Sequence, residues 1–191
     1  MFIGLERLHT YSDESLMKMV QNGNVSAFEI IYTRYSRQLL QYFFRMLNQN
    51  EDAAQDFLQE VFFKLLDKKK YYDPQRKFST WLYTMAANLC KNEYRRLNNK
   101  NVAYKAAQEL HQSSNEEHLD ESLTKDLIWN EVADLSESQK SAFILRYQHD
   151  LSMHEIAKIT HCSEGTVKSR LFYATKKISG KFKEKNIHQE D

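Results

Sequence analysis

The sequence predicts an all-α protein: two small helical domains joined by a flexible acidic linker, the second ending in a helix-turn-helix. Three observations predict it. Only 4 Gly and 1 Pro punctuate 191 residues, so turns are scarce and long helices are favoured. Apolar residues recur three and four apart in one segment after another, the spacing of a helix face. Beneath a net charge of +1 the chain is patterned basic, acidic, basic. Lys64 to Lys105 is dominated by Lys and Arg, Glu109 to Asp134 by acids opposed by Lys125 alone, and the stretch after Lys140 is basic again. That pattern suggests two polyanion-binding units flanking an acidic connector. With 11 Phe, 11 Tyr and 2 Trp, there is apolar bulk for two compact cores.

The elements follow in order. A short helix is expected from Asp13 to Asn22, stopped by Gly23. Phe28, Ile31, Tyr35, Leu39, Tyr42 and Met46 mark a long amphipathic helix, broken at Asn48-Gln49-Asn50. Ala53, Phe57, Leu58, Val61, Phe62 and Leu65 mark the next, running into Lys68-Lys69-Lys70. After the loop KYYDPQRK another helix begins near Ser79, carries Trp81, Leu82, Met85, Leu89 and Tyr94, and fades around Asn98-Asn99. The first domain is therefore read as 1–98, the linker as 99–121 and the second domain as 122–191. In the second, Leu127, Ile128, Val132 and Leu135 line one helix. Ser136 and Gln139 form a capping box for the next, which carries Ala142, Phe143 and Leu145. The tail from Lys181 is expected to fray.

The segment from Leu151 to Lys177 carries the most information. Ser152 and Glu155 make a second capping box, and Ile156, Ala157 and Ile159 give the short helix an apolar side. Thr160-His161-Cys162 interrupts the pattern, and Ser163 can cap the following helix. There Val167, Leu171, Ala174 and Ile178 form one stripe. This is a helix-turn-helix signature, whose second helix enters a DNA major groove. On the wheel, Gly165, Ser169, Phe172, Tyr173 and Lys176 point outward, flanked by Lys168, Arg170 and Lys177. Hydroxyls and a lysine can read base edges, an aromatic edge can touch a thymine methyl, and flanking cations hold phosphates. His161 stands where many such turns place glycine, and histidine tolerates the required positive φ better than most residues.

Several function classes are excluded or disfavoured. The chain has no phosphate-binding G-x-x-x-x-G-K loop, no dinucleotide glycine run, no nucleophile elbow and no H-E-x-x-H site, so an enzyme is not expected. Cys90 and Cys162 are read as free thiols in a reducing compartment. His149, His154, His161 and Cys162 do not make a standard zinc set, and no metal or cofactor is expected. The start lacks a secretory h-region and no apolar run reaches about 18 residues, so a cytoplasmic protein is expected.

Two segments resemble extracytoplasmic-function (ECF) sigma factors, subunits of bacterial RNA polymerase. NEDAAQDFLQEVFFKLL with KFSTWLYTMAANLCKNEYRR resembles that family's second conserved region, and LSESQKSAFILRYQHDLSMHEIAKITHCSEGTVKSRLF its fourth. The resemblance implies a sigma subunit that directs polymerase to promoters and helps open them, in response to an envelope or environmental signal. It implies polymerase binding through Asp56, Gln59, Glu60 and Phe63. Minus-ten contacts would fall to Lys70, Tyr71, Tyr72, Arg76, Lys77, Tyr83, Asn88 and Asn92, with Arg95 and Arg96 on phosphates. Physically, such a basic, aromatic block suits single strands, because cations follow the backbone while rings stack on unpaired bases. Trp81 is read instead as a core anchor. Minus-thirty-five contacts would fall to Gly165, Thr166, Lys168, Ser169, Arg170, Phe172, Tyr173 and Lys176. The implied partners are core RNA polymerase, promoter DNA as duplex and as single strand, and an anti-sigma factor, often one anchored at the membrane; free of partners the chain is expected to be a monomer. The acidic linker would lie in the polymerase's RNA-exit path. The competing expectation, a conventional regulator binding a palindrome as a dimer, leaves the basic, aromatic block unexplained.

Overall fold

A computed structural model describes residues 8–105 and 123–187, with side chains over 8–99 and 128–181. Every regular element among them is helical. The first domain contains α1 (Asp13–Gln21), α2 (Val25–Met46), α3 (Glu51–Lys68), a 3-10 turn (Lys69–Tyr71) and α4 (Phe78–Lys105). The second contains α5 (Leu123–Ala133), α6 (Glu137–Tyr147), α7 (Met153–Thr160) and α8 (Glu164–Ile187).

The helices start where short polar side chains satisfy backbone donors. Ser12 accepts from Ser15 N at 3.2 Å, Asn24 from Ala27 N at 2.9 Å and Asn50 from Ala53 N at 2.9 Å. Both expected capping boxes form, at Ser136 with Gln139 and at Ser152 with Glu155. The α2–α3 break takes two consecutive left-handed residues, Asn48 (φ 54°) and Gln49 (φ 63°). Asn is among the few types that visit this region at modest cost.

Helix α2 is the central strut, packed by α1, α3 and α4. Its Ile31, Leu39, Tyr42, Phe43 and Met46 are fully buried against Leu58, Val61, Phe62 and Leu65 of α3 and Phe78, Leu82 and Cys90 of α4. Truncating a ring such as Phe78 to alanine would cost about 3–5 kcal/mol. In the second domain α8 packs on α5, α6 and α7. The two cores then meet: α7 lies along α4, and α6 lies on α2, so one buried cluster runs through both halves.

Two local expectations need revision. Helix α4 does not fade at Asn98-Asn99 but continues to Lys105. No Gly or Pro stands there to stop it, and a polar sequence can sustain a solvated helix. The rest of the expected linker, including the acidic run from Glu109 to Glu121, lies outside the described residues. Helix α8 likewise continues past Lys181, whose ammonium sits 2.8 Å from Glu131 and 2.9 Å from Asp134. Those ion pairs tie the helix back to the end of α5.

Candidate nucleic-acid interface

The helix-turn-helix is built as its sequence dictates. Cys162 N donates to Ala157 O at 3.0 Å, closing α7, while His161 takes the left-handed conformation at φ 51°, ψ 50°. Ser163 accepts from Thr166 N at 3.1 Å and starts α8. Ile156, Ala157 and Ile159 are buried against Val167, Leu171, Ala174 and Ile178. The opposite face of α8 is therefore bare. Gly165, Thr166, Lys168, Ser169, Phe172, Tyr173 and Lys176 are all exposed. Phe172 and Tyr173 remain 60% and 58% exposed, ring to ring at 5.4 Å, although water disfavours so much aromatic surface. Arg170 is half-buried, its guanidinium 3.4 Å from the Cys162 Sγ. Lys177 is drawn aside to donate to Asp134 O at 2.7 Å.

The first domain carries a second basic surface. Lys64 and Lys68 on α3 and Asn88, Lys91, Asn92 and Arg95 on α4 line one groove of about 330 Å³, floored by Met85 and Leu89. Asn88, Asn92 and Arg95 fall together because they are four and three residues apart on a helix. Cations around two amides can hold a phosphate backbone and offer hydrogen bonds to an unpaired base. Lys64, Lys68 and Lys91 complete the groove and were not among the predicted contacts. Their signal lay in the charge run, which cannot say which lysines share a face across two helices. Lys64 is held by Glu60 at 2.7 Å.

The remaining predicted strand contacts are dispersed. Tyr71 is 84% exposed beside exposed Lys70, whereas the adjacent Tyr72 is buried. Its ring packs against Trp81 at 5.0 Å and Phe78 at 5.7 Å, and its hydroxyl donates to Arg76 O at 2.6 Å. Burial pushes the Tyr72 phenol well above its ordinary range. Arg76 lies 3.4 Å from Asp73, and Arg96 is held by Glu93 through contacts of 2.7 and 2.5 Å. Tyr83 is buried, its hydroxyl 3.0 Å from Nδ1 of His149 in the second domain. Lys77 forms an ion pair with Glu155 at the start of α7. The Lys77 ammonium, with the Ser152 backbone and hydroxyl, holds the Glu155 carboxyl down at about 2.

A third surface lies on α3. Leu58, Val61, Phe62 and Leu65 turn inward, leaving Asp56, Gln59, Glu60 and Phe63 as one exposed stripe. Phe63 is 69% exposed. Acids around a bare ring suit a protein partner better than a polyanion. His154 pairs with Glu164 at 2.8 Å, and among the described residues no three His, Cys, Asp or Glu side chains converge as metal ligands. Nor is any described helix long and apolar enough to cross a membrane.

Comparison with known proteins agrees with this arrangement. Sigma-70 region 2 matches residues 31–100, the part holding the groove and the α3 stripe, and sigma-70 region 4 matches 125–178, the part holding the helix-turn-helix. An ECF RNA polymerase sigma-E factor of Haemophilus influenzae is 30% identical over 181 residues, covering 89% of this chain and 95% of that one. The sigma-E factor of Escherichia coli is 30% identical over 182 residues, covering 89% and 94%. Among solved structures the fold is similar to a sigma factor from Bartonella quintana in complex with the anti-sigma factor NepR (TM-score 0.66, 21% identity, 82% and 96% covered). It is also similar to CnrH in complex with the cytosolic domain of CnrY (TM-score 0.69, 20% identity, 90% and 97% covered). The bare recognition helix, the cationic groove and these relatives lead to one conclusion: the chain belongs to the ECF sigma factors, non-enzymatic subunits that bind core RNA polymerase and direct it to promoter DNA.

Proposed function

We propose that promoter recognition is divided between the two basic surfaces. The unit spanning 1–98 docks on polymerase through Asp56, Gln59, Glu60 and Phe63 and holds the opened minus-ten strand. Within it, Asn88, Asn92 and Arg95 engage the strand in their groove with Lys64, Lys68 and Lys91, and Lys70, Tyr71, Arg76 and Lys77 extend the path. Tyr72 acts there as the anchor of its loop, not as a stacking platform. The unit spanning 122–191 reads the minus-thirty-five duplex through Lys168, Ser169, Phe172 and Tyr173, with Gly165 and Thr166 at the groove edge and Arg170 and Lys176 on phosphates. A connector at 99–121 lets polymerase fix both contacts at once, making the second effectively intramolecular.

The observation that carries this reading is the pair of basic surfaces of different kind in one chain: a bare helix face for duplex and a cationic groove with amides for single strand. The complex of a similar sigma factor with the anti-sigma factor NepR also supports control by an anti-sigma protein, and the cytosolic domain of CnrY in the other complex supports a cytoplasmic setting. Run-off transcription with core polymerase on randomised promoters tests the division. Asn88→Ala should weaken selection at the minus-ten positions alone, and Lys168→Ala at the minus-thirty-five positions alone. Loss of both preferences together in either variant would refute it.

A further inference from the structure

A cleft of about 940 Å³ runs between α4 with its leading loop and α7 with the helix-turn-helix turn. Small-molecule sites commonly measure roughly 300–1,000 Å³. Trp81 forms part of one wall, its ring held by Tyr72 at 5.0 Å and Phe78 at 6.1 Å. Gln75, Arg76 and Thr80 stand beside it, and Lys158 and His161 line the other wall. Three cations of the cleft, Arg76, Lys77 and Lys158, oppose the single carboxylate of Glu164. Two of these four charges are already engaged, Lys77 by Glu155 and Glu164 by His154. Arg76 approaches Asp73 through Nε at 3.4 Å, a long contact that leaves its remaining guanidinium N–H groups for a ligand. Lys158 forms no ion pair or side-chain hydrogen bond with the described residues.

We propose that this cleft binds a nucleotide, its base laid against Trp81 and its phosphates held between Arg76 and Lys158. An indole fixed from behind by two other rings presents an apolar surface to a flat base. Arg76 and Lys158 repel one another across the cleft unless an anion lies between them. A phosphate suits both, taking the guanidinium in a bidentate contact and the ammonium as a point charge. The Thr80 hydroxyl and the Gln75 amide, neither of them bonded to a described residue, are left to serve the base or sugar. An inorganic phosphate would leave Trp81 unused, and an uncharged aromatic would leave the cations unpaired. The walls come from different halves of the chain, so a substitution on either one must weaken the ligand. A DNA strand carries the same base and phosphate, and the test separates it from a free nucleotide.

The test uses the full chain carrying Trp129→Phe, which leaves Trp81 as its only tryptophan. Trp129 sits against Arg45 and does not line the cleft. ATP and GTP are titrated to about 1 mM while Trp81 fluorescence is read, beside adenosine, tripolyphosphate and a single-stranded oligonucleotide. The expected result is saturable quenching by one or both nucleotides, weakened about tenfold by Arg76→Ala and equally by Lys158→Ala. Lys18→Ala removes an exposed cation of α1 outside the cleft and should change binding by less than about twofold. Tripolyphosphate should displace the nucleotide without quenching, and adenosine should bind at least about tenfold more weakly. Absence of saturable quenching by either nucleotide overturns the inference, as does binding indifferent to Lys158→Ala. Quenching by the oligonucleotide alone assigns the cleft to a DNA strand and overturns it too.

Discussion

The hydroxyls of Tyr42 and Ser141 meet at 3.1 Å inside the protein although 99 residues separate them in the chain. Tyr42 has no exposed surface, and burial pushes its phenol well above the ordinary range, so it stays neutral at any physiological pH. The pair joins α2, the strut of the first domain, to α6 of the second. Tyr42→Phe keeps the ring and leaves the Ser141 hydroxyl buried without this partner. A loss of about 1–2 kcal/mol is expected in urea unfolding, larger than for a typical exposed hydroxyl.

Acid should loosen the contact between the two domains. Burial lowers the His149 imidazole to about 4 from 6.5, and the groups facing it are the Tyr83 hydroxyl, the Tyr42 ring and Asp150. Where His149 is released it takes up a proton that the packed form refuses, so its contribution is intact above about 6.5 and erodes as pH falls toward about 4. Linkage gives on the order of 2 kcal/mol lost at pH 5. Glu155, held at about 2 from 4.5, acts in the same direction lower down, since its contribution is present above about 4.5 and lost as pH falls toward 2. Scattering between pH 7 and 5 should show expansion, and His149→Phe should flatten the response over that interval.

Salt should separate the two DNA surfaces. Lys176 and Arg95 are exposed, so alanine at either position should change folding stability by less than about 0.5 kcal/mol. Lys176→Ala should reduce the salt dependence of duplex binding by about one phosphate contact and leave single strands alone. Arg95→Ala should reduce the single-strand slope by about 0.7 and leave duplex binding alone. Titrations from 50 to 200 mM salt on both substrates decide it.

Phe63 should matter to polymerase and not to folding. At 69% exposure it packs little of its ring within the chain, so Phe63→Asp should leave the thermal midpoint within about 2 °C. Placed in a protein interface, the same change buries an unpaired carboxylate and should weaken polymerase binding at least tenfold. Competition binding to core polymerase measures the ratio.

Local chemistry was legible from the residues. The capping boxes at Ser136 and Ser152, the left-handed turn at His161 and the inward stripe from Val167 to Ile178 each depend on neighbours within a few positions. The exposed faces of α3 and α8 followed from the same periodicity, because burying one stripe leaves its opposite to solvent. Helix ends read less well. α4 outran Asn99, and α8 outran Lys181, where the restraint is an ion pair to a helix about fifty residues earlier.

What the sequence determined by itself was therefore the helices, their apolar faces, the helix-turn-helix and the alternation of charge. Only the tertiary structure decided which members of a basic, aromatic block lie together. Tyr71 and Tyr72 are neighbours of one type, yet one is 84% exposed and the other 3%, because the 3-10 turn aims them apart. Asn88, Asn92 and Arg95 find Lys64 and Lys68 only through the packing of α4 on α3. Tyr83 lies under His149 because the second domain folds back on the first. Periodicity fixes a residue's direction around its own helix. What that direction meets depends on contacts between distant segments, and a one-dimensional pattern carries no record of them.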